Sequence, residues 1–489
     1  MGIFDRFRST GQAIKGGGGS KLATSEQDAL HLIDEGHVLE AEGRIEEAKQ
    51  HYLDAIRLAP NLAQAHLNLG NFLLATGDLK GALNSFSTAI KHKPDYAGAY
   101  YNIGNALLCN GQLDDALANY RKALEINPDY AEVHCVLGIV LKELGQPDGA
   151  VESFQKALEI NPDLAEANYN LSTLLLSLGH YAEAWPKYEA RYHPNINGKY
   201  VILPEVSFPQ WQGEPLSGKS LLIWPEQGFG DEIQFARYIP MLRNLGVSHI
   251  TMVCKSPLKT LFGTLEGVDA VVSQTEAASL PFHDYWTLSM SLPLHFATTI
   301  ETIPAGLPYL NVPPERLNQW RSRLPSEGLK VGLVWKGSAG HKNDAYRSLP
   351  RLSILAPLWS LPGVTFVSLQ KGQGEADAAM PPAGQPILDM GPGIQDFADT
   401  AALVTQLDLV ICIDTAIAHL TGAMGKPCWV LLPASGTDWR WFMERTDTPW
   451  YPGVMRLFRQ KQAGDWAATV GEVTKALKIW VDEHRNPMM

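Results

Sequence analysis

Three short segments of the chain place acidic, basic or imidazole side chains beside small residues, a pattern that can support chemistry. The first, residues 225–232, carries Asp231 just after the Gly228-x-Gly230 turn. An aspartate in such a turn can act as the general base that takes a proton from a hydroxyl or amide. It can also accept hydrogen bonds from the free N–H groups at a helix start, and the spacing alone favours this capping role.

The second segment, residues 336–344, concentrates positive charge at the end of an apolar run. Lys336, His341 and Lys342 lie here among small residues, and Arg347 follows. Such a composition suits the binding of a diphosphate. A solvated polar loop has the same composition, so the residues alone leave both interpretations open.

The third segment, residues 414–419, follows another apolar run and opens a predicted helix. Asp414 ends the run, and Thr415, Ala416 and the next backbone N–H groups would point at an anion. The helix dipole would add partial positive charge there. His419 can bond to a phosphate or donate to a leaving group. The alternative is a capped helix with a buried histidine.

Aromatic residues follow this third segment in two runs. The first, residues 438–441, reads Asp-Trp-Arg-Trp, and the second is the pair Trp450 and Tyr451. Such rings can stack on a sugar or a base at the rim of a cleft. They more often pack in a core, and both interpretations stay open here.

Buried strands are expected to position these segments. Apolar runs typical of such strands lie at residues 220–224, 249–253, 269–272, 330–335, 364–369, 407–413 and 427–432. Helical stretches separate the runs, which predicts parallel sheets covered by helices on both faces. A cluster of prolines divides the region near residues 305–328. We therefore expect two doubly wound α/β domains facing a cleft, residues 200–310 and 328–482, with ligands at the carboxyl ends of the strands.

The chain before residue 200 follows a different rule, a period of 34 residues. Several series keep this step in one register: Pro60, Pro94, Pro128 and Pro162; Gly36, Gly70, Gly104 and Gly138; Ala48, Ala82, Ala116, Ala150 and Ala184; Tyr52, Phe86, Tyr120, Phe154 and Tyr188. The pattern predicts two helices in each unit. A further glycine separates them, and the proline ends the second helix. The small residues would let the two helices approach closely, with the aromatic ring filling the gap.

This pattern resembles the tetratricopeptide repeat, in five units over residues 26–195. The resemblance implies a helical solenoid with a concave groove. The last unit departs from the pattern, because Ser172 replaces the glycine and the closing proline falls at Pro194. We therefore interpret it as the junction with the following domain.

Polar residues recur in register two positions before the repeat glycines, with one interruption by valine, as Asn68, Asn102, Val136 and Asn170. On the first helix of each repeat they would face the concave side, where an amide can pair with both edges of a peptide bond. The series resembles the asparagine ladder of the eukaryotic O-GlcNAc transferase repeats, which holds substrate polypeptide. The resemblance implies an acceptor groove that includes Tyr101 and Tyr169. Solvated polar positions are the alternative.

Charge and composition exclude several classes of function. The chain has a net charge of −12, and all of the excess falls within residues 26–195, which makes nucleic acid an unsuitable partner for the repeats. No apolar run is long enough for a membrane helix, and the five cysteines form no C-x-x-C pair. These features predict a cytoplasmic protein without stable membrane insertion. Residues 1–25, with a run of four glycines, are expected to form a flexible leader.

The second part of the chain resembles the GT-B glycosyltransferases of the heptosyltransferase-like group, as found fused to tetratricopeptide repeats in bacteria. The matching stretches are PEQGFGDEIQFARYIP, VGLVWKGSAGHKND, VSLQKG, DFADTAALVTQLDLVICIDTAIAHLTGAMGKPCWVLLP, DWRW and WYPGVMRLFRQ. The resemblance implies an inverting transfer that needs no metal and no cofactor besides the nucleotide-sugar co-substrate. It gives the role of base to Asp231, nucleoside contact to Gln370, and diphosphate contact to residues 414–419 and to Lys336 or Lys342.

These resemblances lead to three functional hypotheses. The first is a protein glycosyltransferase whose repeats recruit a polypeptide acceptor, with flagellin or an adhesin as candidates. The second is a transferase for a lipid-linked or polysaccharide acceptor, with the repeats as a docking arm. The third is a non-catalytic repeat scaffold that keeps only the transferase fold.

Overall fold

The structure is a computed structural model that describes residues 24–196, 201–341 and 343–485. Of the predicted leader, residues 1–25, all but the last two residues lie outside these ranges. Lys342 also lies outside them. The described chain forms two compact units. One is the repeat unit, which contains the residues up to Leu174 and residues 193–196. The other is the α/β unit, which contains residues 175–192 and everything from residue 201 onward.

Paired helices joined by short turns build the repeat unit. They are α1 (Thr24–Ala41), α2 (Ile45–Leu58), α3 (Ala63–Ala75), α4 (Leu79–His92), α5 (Ala97–Cys109), α6 (Leu113–Ile126), α7 (Ala131–Glu143), α8 (Pro147–Ile160) and α9 (Ala165–Leu178). The last turn of α9 already belongs to the α/β unit. The fifth repeat is therefore divided between the two units, at the point where its sequence departs from the pattern.

The repeat glycines allow the two helices of each pair to pack tightly. A Cβ atom added at Gly104 would lie 2.4 Å from Cε1 of Tyr120, and one at Gly70 would lie 2.4 Å from Cε1 of Phe86. Both rings are fully buried. The prediction that the repeat aromatic fills the space left by the glycine is confirmed. A second glycine follows the first helix of each pair and has a positive φ, a backbone angle that residues with a side chain rarely adopt. These glycines are Gly43, Gly77, Gly111, Gly145 and Gly179.

The α/β unit contains two parallel sheets. Their strands are β1 (Ser220–Trp224), β2 (His249–Cys254), β3 (Ala270–Ser273), β4 (Tyr285–Leu288), β5 (Leu329–Val334), β6 (Val364–Ser368), β7 (Leu388–Asp389), β8 (Leu409–Ile413), β9 (Cys428–Leu432) and β10 (Met455–Arg459). Its helices are α10 (Tyr181–Tyr188), α11 (Phe229–Phe235), α12 (Ile239–Asn244), α13 (Lys259–Phe262), α14 (Leu292–His295), α15 (Pro314–Arg321), α16 (Asp344–Arg347), α17 (Glu375–Ala379), α18 (Phe397–Val404), α19 (Ala416–Ala423) and α20 (Trp466–Arg485).

The strand order places a crevice between two neighbouring strands of each sheet. The orders are β3-β2-β1-β4 and β7-β6-β5-β8-β9-β10, and the strand pairs are parallel. In each sheet the chain runs outward from the first strand and then returns to its other side. Such a reversal opens a crevice at the carboxyl ends of the two strands concerned, β1 and β4 in one sheet and β5 and β8 in the other. The expected α/β architecture, with helices between parallel strands, is confirmed.

Helix α10 completes the α/β unit although its sequence belongs to the last repeat. Tyr181 accepts a hydrogen bond from Nε1 of Trp450 at 2.9 Å, and Trp185 donates from Nε1 to the carbonyl of Thr298 at 2.8 Å. Both helix side chains are buried, so aromatic packing fixes this helix to the α/β unit.

Among the described helices, none combines the length and the apolar composition that crossing a membrane would require.

Candidate active site

The segments after β5 and β8 leave the same edge of the six-stranded sheet. Val334 is in register with Cys412 on the neighbouring strand, so Lys336 and Asp414 follow two adjacent strands at their carboxyl ends. This is the crevice at which the chain reverses direction. The structure therefore brings the second and third predicted segments to one place.

Gln370 holds the segment after β5 in position. Its side chain accepts hydrogen bonds from the backbone N–H groups of Trp335 and Lys336, both at 3.0 Å, and donates to the Lys336 carbonyl at 3.0 Å and the Gln373 carbonyl at 2.8 Å. It is only 1% exposed. Because both edges of the amide bond to the backbone, Gln370 positions the segment after β5, and the nucleoside contact implied by the resemblance stays a prediction.

The basic segment packs closely around Gly337. A Cβ atom at this glycine would lie 2.7 Å from Nη2 of Arg347 and 2.8 Å from Oδ1 of Asp344. Ser348 donates to Asp344 at 2.7 Å and accepts from the Gly337 N–H at 2.9 Å. The segment is therefore a closely packed, hydrogen-bonded loop that contacts the Arg347 side chain. Within the part of the chain that the structure describes, no hydrogen bond or ion pair joins the Lys336 ammonium to another residue.

Helix α19 begins as the sequence predicts. Thr415 is its N-cap, and the side-chain oxygen accepts from the N–H of Ile417 at 3.3 Å. Ala416 is the first helical residue, and its Cα would lie 3.5 Å from a Cβ atom placed at Gly230. Burial, with Asp438 adding to it, raises the pKa of Asp414 to about 6. The start of this helix therefore faces α11, with a carboxyl group at its base that titrates near neutral pH.

His419 is a buried histidine that packs between aromatic rings. Its Nδ1 lies 3.0 Å from the Tyr451 hydroxyl, and its ring stacks on Trp441 with the centroids 5.1 Å apart. Burial, together with the positive charges of Arg440 and Arg237, lowers its pKa to about 3. The imidazole is therefore neutral at pH 7 and can form hydrogen bonds, but it cannot deliver a proton as an imidazolium. Of the two interpretations, the structure matches the capped helix with a buried histidine.

Asp231 lies in the first turn of α11 and has two partners. Its Oδ2 accepts from the N–H of Gly228 at 2.6 Å, and its Oδ1 forms an ion pair with Nη2 of Arg440. Gly228 is the N-cap residue, and Asp231 at the third helical position accepts from its N–H, so the capping interaction that the spacing favours is present. Burial raises the pKa of the Asp231 carboxyl although the Arg440 charge opposes it. A raised pKa makes a carboxylate a better proton acceptor, so Asp231 keeps the chemistry of a base.

The contacts of α11 join the carboxyl edges of the two sheets. Asp231 follows β1, and its partner Arg440 follows β9. A Cβ atom at Gly230 would lie 2.6 Å from Cδ2 of His419, which follows β8. The predicted base and the predicted anion-binding segment therefore belong to one site.

Several buried polar side-chain atoms of the α/β unit form no close hydrogen bond. Among the described residues, these atoms are both amide atoms of Gln234, Ser289 Oγ, Arg347 Nε, Arg440 Nε, Trp441 Nε1 and Gln460 Nε2, although Arg347 Nε lies 3.5 Å from the Asp344 carboxylate and the Trp441 ring N–H is near Asp414. Each belongs to the segment that follows the carboxyl end of a strand, namely β1, β4, β5, β9 or β10. Leaving such groups unpaired costs free energy, and they occur mainly where a fold serves a function.

A buried ion pair at the crevice of the four-stranded sheet was missed by sequence reasoning. Arg191 donates to both carboxylate oxygens of Glu226 at 2.8 and 2.9 Å, and the Met290 N–H donates to the same carboxylate at 2.8 Å. Both charged side chains are fully buried. The only sequence signal was an arginine among aromatics at the end of the last repeat. The pair fills the crevice between β1 and β4 and fixes the segment that leads into α11.

The aromatic runs at 438–441 and 450–451 pack in the core. Trp441, Trp450 and Tyr451 are fully buried, and Trp439 is 6% exposed. The core interpretation of these rings is therefore correct. Arg440, which lies between two of them, is the buried residue that pairs with Asp231, and no sequence signal pointed to that pairing.

The repeat asparagines are half-buried and bonded. Asn102 donates to Oδ1 of Asn71 at 2.7 Å, and Oδ1 of Asn68 lies 3.0 Å from Nε2 of His37. Asn170 donates to the carbonyl of Glu166 at 2.8 Å. Two of the three therefore contact the preceding repeat, which orders their amides.

The two predicted tyrosines differ in their surroundings. Tyr101 is 7% exposed and packs against the rings of Tyr120 and Tyr130, while Tyr169 is half-buried. Tyr101 is therefore largely enclosed by neighbouring rings, and its contact with an acceptor stays a prediction. Within the described residues, no group of three or more His, Cys, Asp and Glu side chains is placed to hold a metal ion.

Comparison with known families identifies the repeats. A model described as TPR repeat matches residues 36–77, 70–111 and 104–145, and models described as tetratricopeptide repeat match residues 131–164 and 153–185. Residues 36–185 are tetratricopeptide repeats. The resemblance inferred from the 34-residue period is confirmed.

A bacterial relative extends the similarity beyond the repeats. Protein FlbA of Caulobacter vibrioides is 32% identical over 324 residues, which are 61% of this chain and 53% of FlbA. The chain thus spans about half the length of this curated relative. Because residues 1–200 are less than half of the chain, the match must include part of the α/β unit.

Solved structures of repeat proteins match about a third of the chain. A thermophilic TPR protein of Thermus thermophilus is 29% identical, with a TM-score of 0.30, over 35% of this chain and 91% of its own. PilF of Pseudomonas aeruginosa is 22% identical, with a TM-score of 0.33, over 34% of this chain and 77% of its own.

Proposed function

We propose that the chain is a GT-B glycosyltransferase that moves a sugar from a nucleotide-sugar donor to a polypeptide acceptor. The observation that carries the proposal is the meeting of Asp231 and residues 414–419 where the carboxyl edges of two parallel sheets face each other. A transferase of this kind needs a base for the acceptor and a site for the leaving diphosphate at one place. The resemblance of the matching stretches to the heptosyltransferase-like group supports the same conclusion.

The roles of the residues follow from their chemistry. Asp231 takes the proton of the acceptor hydroxyl or amide while that atom attacks the anomeric carbon. The bond between the anomeric carbon and the diphosphate oxygen breaks from the opposite face, so the configuration inverts. Lys336, Arg347 and the N–H groups at the start of α19 stabilise the departing nucleoside diphosphate. Lys342 is a further candidate by resemblance and lies outside the described residues.

The acceptor is proposed to be a polypeptide because the repeats carry a series of ordered amides. Asn68 and Asn102 are held by neighbours one repeat away, which lowers the entropy cost of binding a peptide backbone. The repeats also hold all of the excess negative charge, which favours a basic or neutral segment. Flagellin or an adhesin remains a candidate acceptor.

A thermal-shift screen with UDP-, GDP-, CMP- and ADP-sugars tests the donor site. A ligand that binds only the folded state raises the unfolding temperature, by the equivalent of about 2.7 kcal/mol at a hundredfold excess over Kd. We expect one nucleotide class to stabilise the wild type and to stabilise Arg347→Gln less. Lys330→Ala is the matched control, because Lys330 lies near the opposite end of β5. Absence of any shift with all four classes would contradict the proposal.

A further inference from the structure

Arg440 is shared by two carboxylates. Its Nη1 donates to both oxygens of Asp438 at 2.8 and 2.9 Å, and its Nη2 forms the ion pair with Asp231. Asp438 also accepts from the backbone N–H of Arg440 at 3.0 Å. The guanidinium is 3% exposed and lies 4.4 Å from the ring centroid of Trp439. Its orientation is therefore fixed on several sides.

We propose that Asp438 is a positioning residue for Asp231, which acts by holding Arg440 in a shared ion pair so that Asp231 stays able to accept a proton. The inference rests on the proposed function, in which Asp231 is the base. A guanidinium paired with Asp231 alone would bind its negative charge fully and weaken it as a base. Asp438 compensates part of the positive charge of the Arg440 guanidinium. It also fixes the orientation of the Nη2 atom that contacts Asp231.

The other groups near Asp231 fit this arrangement. The charged and titratable groups that face it, its helix or its partner are Arg440 and Asp438 from the segment after β9, Asp414 at the base of α19, Glu226 from the turn before α11, Glu232 from α11 itself, and His419 from α19. Glu232 is neutralised by an ion pair with Lys255 at 2.7 Å, and Glu226 by Arg191. His419 is neutral at pH 7. Arg440 and Asp438 are the charges that act most strongly on Asp231.

The test is the pH dependence of kcat/KM in two opposite variants. Asp438→Asn keeps an acceptor for the Arg440 N–H but removes a negative charge, so the acidic limb should move to lower pH by about one pH unit. Arg440→Gln removes the positive charge, so the same limb should move to higher pH. Asp438→Glu should restore the wild-type limb. An unchanged limb in Asp438→Asn, or a shift of both variants in one direction, would overturn the inference.

A second readout separates this inference from the proposed function. In protein labelled with ¹³C at aspartate carboxyls, Asp231→Asn assigns the Asp231 resonance, and its titration midpoint is then compared in wild type and Asp438→Asn. A lower midpoint in the variant supports the shared ion pair even if no donor is turned over. An unchanged midpoint refutes it even if the enzyme is active. Tryptophan fluorescence melts confirm that each variant is folded.

Discussion

The repeat unit and the α/β unit order their polar side chains over very different distances along the chain. In the repeats, Tyr120 donates to Asn105 across 15 residues, and Asn102 reaches Asn71 across 31. In the α/β unit, Arg440 pairs with Asp231 across 209 residues. A local period therefore determines the repeats, whereas the site in the α/β unit exists only after distant segments have come together.

The two units also differ in what they leave unpaired. The described buried side-chain atoms that lack a close hydrogen bond all lie in the α/β unit, in segments that follow its strands. The repeats instead bury small residues and rings in periodic contact. The buried side chains of the repeats mainly serve packing. The α/β unit leaves several buried polar atoms without a close hydrogen bond, which lowers its stability. Such a cost is typical of functional sites.

The largest expected effect comes from breaking the buried ion pair of the α/β unit. Arg191→Met should lower its free energy of unfolding by about 3–5 kcal/mol, because Glu226 would keep a buried charge without its partner. Every tryptophan of the chain lies at Trp185 or later, so fluorescence in urea reports on this unit alone.

The double variant Arg191→Met with Glu226→Gln is the control for that prediction. Removing both charges should recover part of the loss, since no uncompensated ion remains. A cost below about 1 kcal/mol in the single variant would show that this network is less important than its burial suggests.

The next effect depends on pH. The pKa of Asp414 is raised to about 6 in the folded protein, so the folded state favours the protonated carboxyl. The stability gained from this proton is fully present below the unfolded pKa of the carboxyl and is lost as pH rises through about 6. Asp414→Asn does not titrate and should therefore exceed the wild type in stability by about 1–3 kcal/mol near pH 8. The advantage should shrink toward pH 4.5 in urea titrations. An advantage independent of pH would mean that the carboxyl is not perturbed.

An effect of similar size is expected from filling the space beside a repeat aromatic. Gly104→Ala would place a Cβ atom 2.4 Å from the Tyr120 ring and should destabilise the repeat unit by about 1–3 kcal/mol. Gly98→Ala, in the same helix, meets its nearest ring atom at 3.6 Å and should be neutral or stabilising by up to about 1 kcal/mol. Hydrogen exchange of repeat peptides measures both, and equal effects would contradict the packing account.

The smallest expected effect tests whether the repeats serve the acceptor. Asn68→Ala combined with Asn102→Ala should lower transfer to protein by about tenfold, or about 1.4 kcal/mol, and retain hydrolysis of the donor. The control replaces two asparagines of second helices, Asn84 and Asn119, with alanine. Equal loss of both activities, or equal loss in the control, would count against a peptide groove.

Much of the fold could be predicted because its rules are local. The 34-residue period located the helix pairs, and apolar runs located seven of the strands. Three strands were missed for physical reasons: β7 has two residues, β10 alternates arginines with apolar residues, and β4 is a short pair partner at a sheet edge. The role of α10 in the α/β unit depends on contacts across more than a hundred residues, such as Trp185 with Thr298.

The site was only partly predictable. The spacing of Thr415 gave the start of α19, and the G-x-G turn located Asp231. Neither could reveal Arg440, because the ion pair depends on how two sheets face each other. The burial of Gln370 and His419 was likewise not predictable, because the sequence does not show it for a single polar residue.

Turnover of the donor is the most direct test of the central claim, that the α/β unit transfers sugar with Asp231 as base. Release of nucleoside diphosphate is measured for wild type, for Asp231→Asn and for Asp465→Asn, an exposed aspartate that accepts a backbone N–H at the start of α20. The account predicts turnover of one donor class by the wild type and by Asp465→Asn, and a loss of about 10²–10⁴-fold in Asp231→Asn with donor binding retained. Full turnover in Asp231→Asn, or neither binding nor turnover in the wild type, would contradict it.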